Sequence, residues 1–577
     1  MNRKQRRGAR KQPPSSGSQR TATAGNPADQ LFTEAEQLQR RHKLDDAIRL
    51  YKRLLLLKPD HAQANNNVAL VLLAQGKRSE ASAHFAQALT LMPQLFEQYN
   101  AVCDTLAAVL PPIGAAMQRA LAARPNRLSA DQLLAADDHA AVRADPLLRC
   151  MLEAVPARNI GLELVLTALR AAFTADASDE NALSFCCALA KQCFINEYVF
   201  AVTAEEEAQV ERLTAAIGDA LSAGAGIAPM QLAVLAMYAP LHRLPFADAL
   251  LTNAWPAPLE AVVTQQIREP RQEVALRPAI PRLTAIVDET SLRVQQQYEE
   301  NPYPRGINLA GNVQPVSLDR HLRAKFPTAA FTPLAKSGPL DILVPGCGTG
   351  LGAQVAQMYD AHVLAVDLSL ASLAYAKRTT PAALASRIEY VQGDILKLGA
   401  IGRTFDFIEV TGVLHHMADP LEGWRVLLAL LQPGGIMHLG FYSELGRRDV
   451  VDARAFIAER GYAATPADIR RCRQDILQTP HASVARFTDF FSTSECRDLL
   501  FHVQESRMTI PAIKDFVDSH GLKFIGFDLD DATAQKYREA FAAQGWSMSD
   551  LAKWHAVEMA NPDMFSGMFQ LWVQRNG

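Results

Sequence analysis

The chain has 577 residues, 49% of them apolar and 21% charged, with a formal net charge of −3. Domains run to roughly 100–200 residues, so this length predicts three or four units rather than one core. The composition excludes global disorder, and the near-neutral charge argues against a dedicated nucleic-acid binder, which carries a basic surplus.

Residues 1–28 open with MNRKQRRGARKQPPSSGSQR, basic and rich in Pro, Ser and Gly. The segment lacks the apolar stretch of a signal peptide and reads as a disordered, solvated tail. From there to Gln94 the sequence repeats with a period of 34: Ala47, Tyr51 and Pro59 recur as Ala81, Phe85 and Pro93, and Ala35 as Ala69. This pattern resembles the tetratricopeptide repeat. Its small residues let two antiparallel helices approach, its aromatic fills the groove between them, and its Pro ends the second helix. Ala101, Met117 and Ala120 mark a degenerate third copy, which places a helical solenoid over 29–126. The large aromatic that opens the family's consensus is missing. Asn65 stands in its place in the second copy and, with Asn66, is expected on the inner face. Such a surface predicts a protein partner or substrate.

Residues 127–285 are rich in Ala and Leu at helical spacing and predict an all-helical middle domain, to which no function is assigned. Cys186, Cys187 and Cys193 sit in one apolar helical stretch and read as core thiols rather than metal ligands. No zinc-type Cys/His spacing occurs among the eight cysteines, so no metal is expected, and a reduced cytoplasmic compartment fits them best. No apolar run reaches the roughly 18–20 residues that cross a bilayer.

Chemistry concentrates in residues 286–577. LDILVPGCGTGLG reads as a buried strand, a glycine cluster (Gly346, Gly348, Gly350) and a helix start, a turn in which a ligand approaches backbone without a Cβ in the way. Read from Gly348, the segment also satisfies GxGxxA, which a nicotinamide or flavin nucleotide could use. HVLAVD then gives a second strand ending in Asp367, a carboxylate placed to accept ribose hydroxyls. IEYVQGD gives a third strand before Asp394, FDFIEVTGVLHH a fourth that leads into His415 and His416, and LLQPGGIMHLGFYS a fifth.

This ordered set resembles the class I S-adenosylmethionine (SAM)-dependent methyltransferases of the type 11/12 kind. With the repeats in front and YEENPYPR before the core, the whole is similar to a group of bacterial repeat-methyltransferases. The resemblance implies a Rossmann-like seven-stranded α/β domain with its last strand antiparallel, and SAM as cofactor. It implies that Gly346, Gly348 and Gly350 face the methionine moiety, that Asp367 holds the ribose, and that Asp394 with Ile395 holds the adenine. Val344 stands where the family usually has a carboxylate two positions before the first glycine.

Residues 444–511 exceed a normal crossover and predict a helical insertion above the carboxyl ends of the strands. Residues 294–306 predict a loop that closes over the cofactor. His415 or His416 is a candidate general base, the bland reading being that both pack or cap their helix. Glu409 lies in the fourth strand with no role assigned. The reading is a methyltransferase acting on an unidentified acceptor, a protein recruited by the repeats; a small-molecule methyltransferase, a nucleotide-dependent oxidoreductase and a non-catalytic scaffold are the alternatives.

Overall fold

A computed structural model describes residues 27–92, 99–175, 182–303, 315–334, 336 and 338–577. The basic tail, Pro93 and the end of the expected loop at 304–306 lie outside these residues, as does the side chain of Ala101. The described chain is helical up to Ala279 and builds its sheet after Leu340.

Pro27–Arg40 packs on Leu44–Leu57, and Ala62–Ala74 on Arg78–Leu91, giving two helical hairpins. The residues that recur at 34 positions are the ones buried between them: Ala35 and Ala69, Ala47 and Ala81, Tyr51 and Phe85. Tyr51 keeps its hydroxyl satisfied in the groove, donating to Gln39 (2.9 Å) and accepting from Asn67 (3.0 Å). Asn65 departs from expectation. It is buried with its Oδ1 2.9 Å from His84 Nδ1, because it faces the next helix rather than an open groove.

The helices that follow bury Cys186, Cys187 and Cys193 on Leu183–Ile195, and all eight cysteines are free thiols. Just beyond that helix Glu197 and Tyr198 adopt φ of +54° and +60°, left-handed backbone that costs non-glycine residues free energy and persists only where surroundings enforce it. Here the enforcement is a contact with the distant helix Thr493–Phe501. Thr493 donates its N–H to the Asn196 carbonyl (3.2 Å) and its hydroxyl to the Glu197 carbonyl (2.8 Å), and the Glu197 carboxylate accepts from Ser494 N.

Among the described residues eight strands follow: β1 (Leu340–Pro345), β2 (Ala361–Asp367), β3 (Ile388–Gln392), β4 (Phe405–Val410), β5 (Leu431–Ser443), β6 (Arg507–Met508), β7 (Leu522–Phe527) and β8 (Phe569–Arg575). Seven form one sheet in the order β3-β2-β1-β4-β5-β8-β7, with β1 to β5 parallel and β8 antiparallel to both neighbours. The final antiparallel strand is as expected; the two-residue β6, beside the end of β5, is additional. Central strands such as β4 are buried along their whole length, as parallel strands covered on both faces must be. Val344 pairs with Ala365 inside this sheet and belongs to its apolar core.

The outer edge of β3 is closed by a strap that the sequence placed in the middle domain. Leu283 N donates to Gln392 O (2.7 Å) and Gln392 N to Pro281 O (2.8 Å), so residues 281–284 satisfy backbone groups an edge strand would leave open. The packing of the sheet therefore begins before residue 286. Residues 444–511 are helical, as expected, up to β6, and enclose a small core of their own that includes Ile469, Cys472 and Phe490. That core also takes in Ile160 of the middle helices, and Arg473 bonds Glu163 there.

Candidate functional site

β1 delivers the glycine loop to the point where the strand order reverses, the place where open α/β sheets bind ligands. Gly346 has φ +72°, and a Cβ there would lie 2.5 Å from Val413 Cγ2, so only glycine fits. At Gly350 a Cβ would meet nothing within 4 Å; that side is open space. Gly348 donates its N–H to Asp367 Oδ2 (2.8 Å), while Asp367 Oδ1 accepts from Ser369 N (2.8 Å). Burial pushes the Asp367 carboxyl up to about 6, against the pull of these N–H groups. Asp394 accepts from Leu396 N through Oδ1 (3.0 Å), and its Oδ2 is buried without a partner. Its own N–H is fixed by Thr284 Oγ1 (2.8 Å), so the strap on β3 positions it.

These residues meet in one cleft of about 370 Å³. Gly346, Gly348, Gly350, Asp367, Asp394, Ile395 and His416 all line it; His415 does not. The segment expected to be a covering loop is a helix as far as Glu300. Glu289–Glu300 starts at Asp288, whose carboxylate accepts from Ser291 N (2.9 Å), and brings Val294 and Tyr298 to the cleft, with Tyr303 following. Its far end grips the turn after β2. Glu299 accepts from the N–H groups of Leu370 (2.5 Å) and Ala371 (3.3 Å), a carboxylate on the positive end of helix Leu370–Thr379.

After β4 the chain makes a single turn of 3-10 helix, Leu414–His416. His415 is fully buried, stacked 3.7 Å from Tyr442, and burial with the nearby His416 and Arg447 charges holds its pKa well below the usual range. His416 faces the cleft. Its Nδ1 donates to Gln504 O (3.1 Å), which leaves the Nε2 lone pair free, 3.7 Å from Asp498 Oδ1. His502 stacks on His416 at 3.7 Å and has the opposite tautomer, because its Nδ1 accepts from Gln504 N (3.0 Å) and its Nε2 must carry the proton. Tyr298 joins the group, with its hydroxyl donating to Asp498 Oδ1 (2.6 Å) and lying 3.2 Å from His502 Nε2. His416, Asp498 and His502 thus have the composition of a metal site, but a protonated His502 Nε2 makes them a proton-holding network.

Sequence reasoning missed Asp498, His502 and Gln504; the only signal was the crowding of aromatic and acidic residues in RFTDFFSTSECRDLLFHVQE. Glu409, left without a role, is not in the cleft: it accepts from His438 Nδ1 and from Thr411 Oγ1, both at 2.8 Å.

Residues 343–439, which run from β1 into β5, match the methyltransferase domain family. The chain carries a methyltransferase domain. Among curated proteins this chain is 27% identical to syc1184_c of Synechococcus sp. over 252 residues, 39% of this chain and 58% of that protein. It is 33% identical to the ubiquinone biosynthesis O-methyltransferase of Methylocella silvestris over 121 residues, 21% of this chain and 46% of that enzyme. It therefore spans less than two thirds of the length of either relative. The solved structure of PKMT2 from Rickettsia typhi aligns with a TM-score of 0.35 at 16% identity, covering 46% of this chain and 54% of that one.

The methyltransferase domain takes S-adenosylmethionine as its cofactor, and the cleft suits that ligand. The open side of Gly350 leaves room for backbone approach, Asp367 offers further lone pairs for ribose hydroxyls, and the unpartnered Asp394 Oδ2 can accept from an adenine amino group. No carboxylate stands at Val344 to meet the ligand's own amino group.

Proposed function

We propose that the protein is a SAM-dependent methyltransferase acting on a protein acceptor that the N-terminal hairpins recruit. The observation that carries the enzymatic part is the convergence, in one cleft, of the glycine loop, Asp367 and Asp394 with the free lone pair of His416. When bound, the cofactor supplies a methyl group already activated on a sulfonium sulfur, so the chain's task is alignment and, where the acceptor carries a proton, its removal. Asp367 and Asp394 hold the two ends of the nucleoside, the glycine loop lets it approach, and the helix Glu289–Glu300 covers the cleft and limits water. His416 is the catalytic base in this reading.

Recruitment by tetratricopeptide-type repeats draws on the 34-residue recurrence and on its burial between paired helices. A cytoplasmic location accords with eight free thiols. Among the described residues no helix is long and apolar enough to cross a membrane.

A second reading, a small-molecule acceptor, is favoured by the enclosure of the cleft under Tyr298 and Tyr303 and by the name of the Methylocella relative. One experiment separates the two. Methyl-labelled SAM is supplied with a cell lysate, and the products are fractionated into protein, RNA, lipid and small molecules. Label in a discrete protein supports the first reading, label in small molecules the second, and no transfer with any fraction overturns both.

A further inference from the structure

The sheet carries a buried carboxylate with no task so far, Glu409, one strand away from Val344. Leu343 of β1 pairs with Ile408 of β4, so the next residues, Val344 and Glu409, are neighbours on strands about 4.8 Å apart. Side chains alternate along a strand, which puts Glu409 on the face that holds Val344, Phe407 and Trp572. His438, opposite Glu409 on β5, stacks on Trp572 at 4.2 Å and continues the same row. Among the described residues no lysine or arginine pairs with Glu409; its Oε2 takes the Nδ1 proton of His438.

Thr411 connects this carboxylate to the cleft. It follows β4, lines the cleft and is half-buried. Its hydroxyl proton is committed to Glu409 Oε1 (2.8 Å), so Thr411 Oγ1 has only lone pairs left to offer. Donating to a carboxylate also makes a hydroxyl oxygen a stronger acceptor. Gly440 on β5 permits this position, since a Cβ there would lie 3.1 Å from Thr411 Cα. The other acids of the cleft have different tasks. Asp367 and Asp394 are assigned to the nucleoside, Asp288 and Asp419 accept from Ser291 N and Leu421 N at helix starts, and Glu422 is exposed.

We propose that Thr411 Oγ1, held by Glu409, binds the ammonium group of the cofactor's methionine moiety, the role left open at Val344. This rests on the methyltransferase reading and deepens it. An ammonium has three N–H donors and no lone pair, so an oxygen that can only accept matches it. A threonine by itself could turn its proton toward the ligand; Glu409 prevents that. Glu409 is thus a positioning residue, acting on the ligand through Thr411.

The test is calorimetry on the full-length chain with three ligands. They are S-adenosylhomocysteine, its deaminated analogue, which keeps the carboxylate, and methylthioadenosine, which lacks both groups. S-adenosylhomocysteine is expected to bind roughly tenfold or more tightly than the deaminated analogue, the size of one hydrogen bond to a charged group. Thr411→Val, close to threonine in shape, should bring these two affinities together and leave that of methylthioadenosine unchanged. Glu409→Gln, which keeps an acceptor for the threonine proton but removes the charge, should narrow the difference, and serves if the first variant misfolds. A loss shared equally by all three ligands would make Thr411 structural and overturn the proposal. So would a preference for the amino group that is absent from the unaltered chain, or one that persists undiminished in both variants. Failure of all three ligands to bind the unaltered chain would overturn the methyltransferase reading itself, and the proposal with it.

Discussion

Arg473 and Glu163, 310 residues apart, face each other through hydrogen bonds of 3.0 and 2.8 Å with both side chains buried. Arg473 also donates to Phe490 O (2.7 Å) and to Val199 O (3.2 Å), so one guanidinium ties the middle helices to the insertion that carries Asp489 and Asp498. The insertion is therefore held from outside the catalytic sheet as well as from within it.

Removing one partner of such a pair strands the other charge. Arg473→Leu is expected to lower the unfolding free energy by about 3–5 kcal/mol, read as a shift of the urea midpoint. A midpoint within error of the unaltered chain would show that the pair does not hold the two parts together. A chain starting at residue 288 loses Glu163, Glu197 and Arg158 together, and is expected to aggregate rather than behave as an independent catalytic unit.

Asp367 should govern cofactor affinity. Asp367→Ala removes a buried acceptor of ribose hydroxyls, a loss of about 1–3 kcal/mol, seen in calorimetry as roughly a tenfold or larger rise in the Kd of SAM. Asp394→Ala should cost less, since a single bond to the adenine is at stake. Unchanged affinity in a folded Asp367→Ala would remove the ribose assignment.

The raised pKa of Asp367 gives that affinity a pH dependence. The carboxyl titrates at about 6 in the folded chain, so it is ionised above that value and protonated as pH falls through it. Cofactor binding uses the ionised form and should weaken by roughly tenfold for each pH unit below 6. Stability runs the other way. A carboxyl whose folded pKa is raised stabilises the fold most below its unfolded value near 4, and that contribution is lost as pH rises through 6. Asp367→Asn should flatten both profiles, and a binding profile that stays unchanged in the variant would assign the titration to another group.

Gly346→Ala forces a Cβ to within 2.5 Å of Val413 at a φ of +72°. Left-handed backbone alone costs a non-glycine residue about 1–2 kcal/mol, and displaced Val413 would enter the cleft. Loss of SAM binding with unaltered helical circular dichroism is expected. Normal binding would mean that the loop does not face the ligand.

The two adjacent histidines should separate kinetically once an acceptor is in hand. His416→Gln should lower kcat by roughly 10²–10⁴-fold, the range of a general base, with SAM affinity retained. His415→Phe, which keeps a ring against Tyr442, should leave kcat unchanged. Equal effects from the two would point to packing rather than proton transfer.

The cofactor side of the cleft was legible because each of its residues directly follows a strand: the glycines follow β1, Asp367 ends β2, and Asp394 comes two residues after β3. Local hydrophobic runs place such residues without knowledge of tertiary contacts. The acceptor side was not legible, since Asp498 and His502 reach His416 from more than eighty residues downstream, on and just after a helix whose own pattern reports only that it is helical. Asn65 was misplaced for a related reason: a polar side chain reads as exposed until its partner, His84, is known. The strap at 281–284 read as a boundary because prolines end helices, which is equally true of a segment that goes on to pair with a sheet edge.

The loop in which Glu197 and Tyr198 adopt left-handed backbone is bonded to Thr493 and Ser494 of the insertion. A recombination event that exchanged the C-terminal half for that of a related chain would have to bring a matching surface to this loop, or leave it strained and unpaired. Lineages should consequently inherit the middle helices and the insertion together, and the crossover points that natural recombination or a chimera library tolerates should fall ahead of the middle helices, not at the linker between residues 276 and 288.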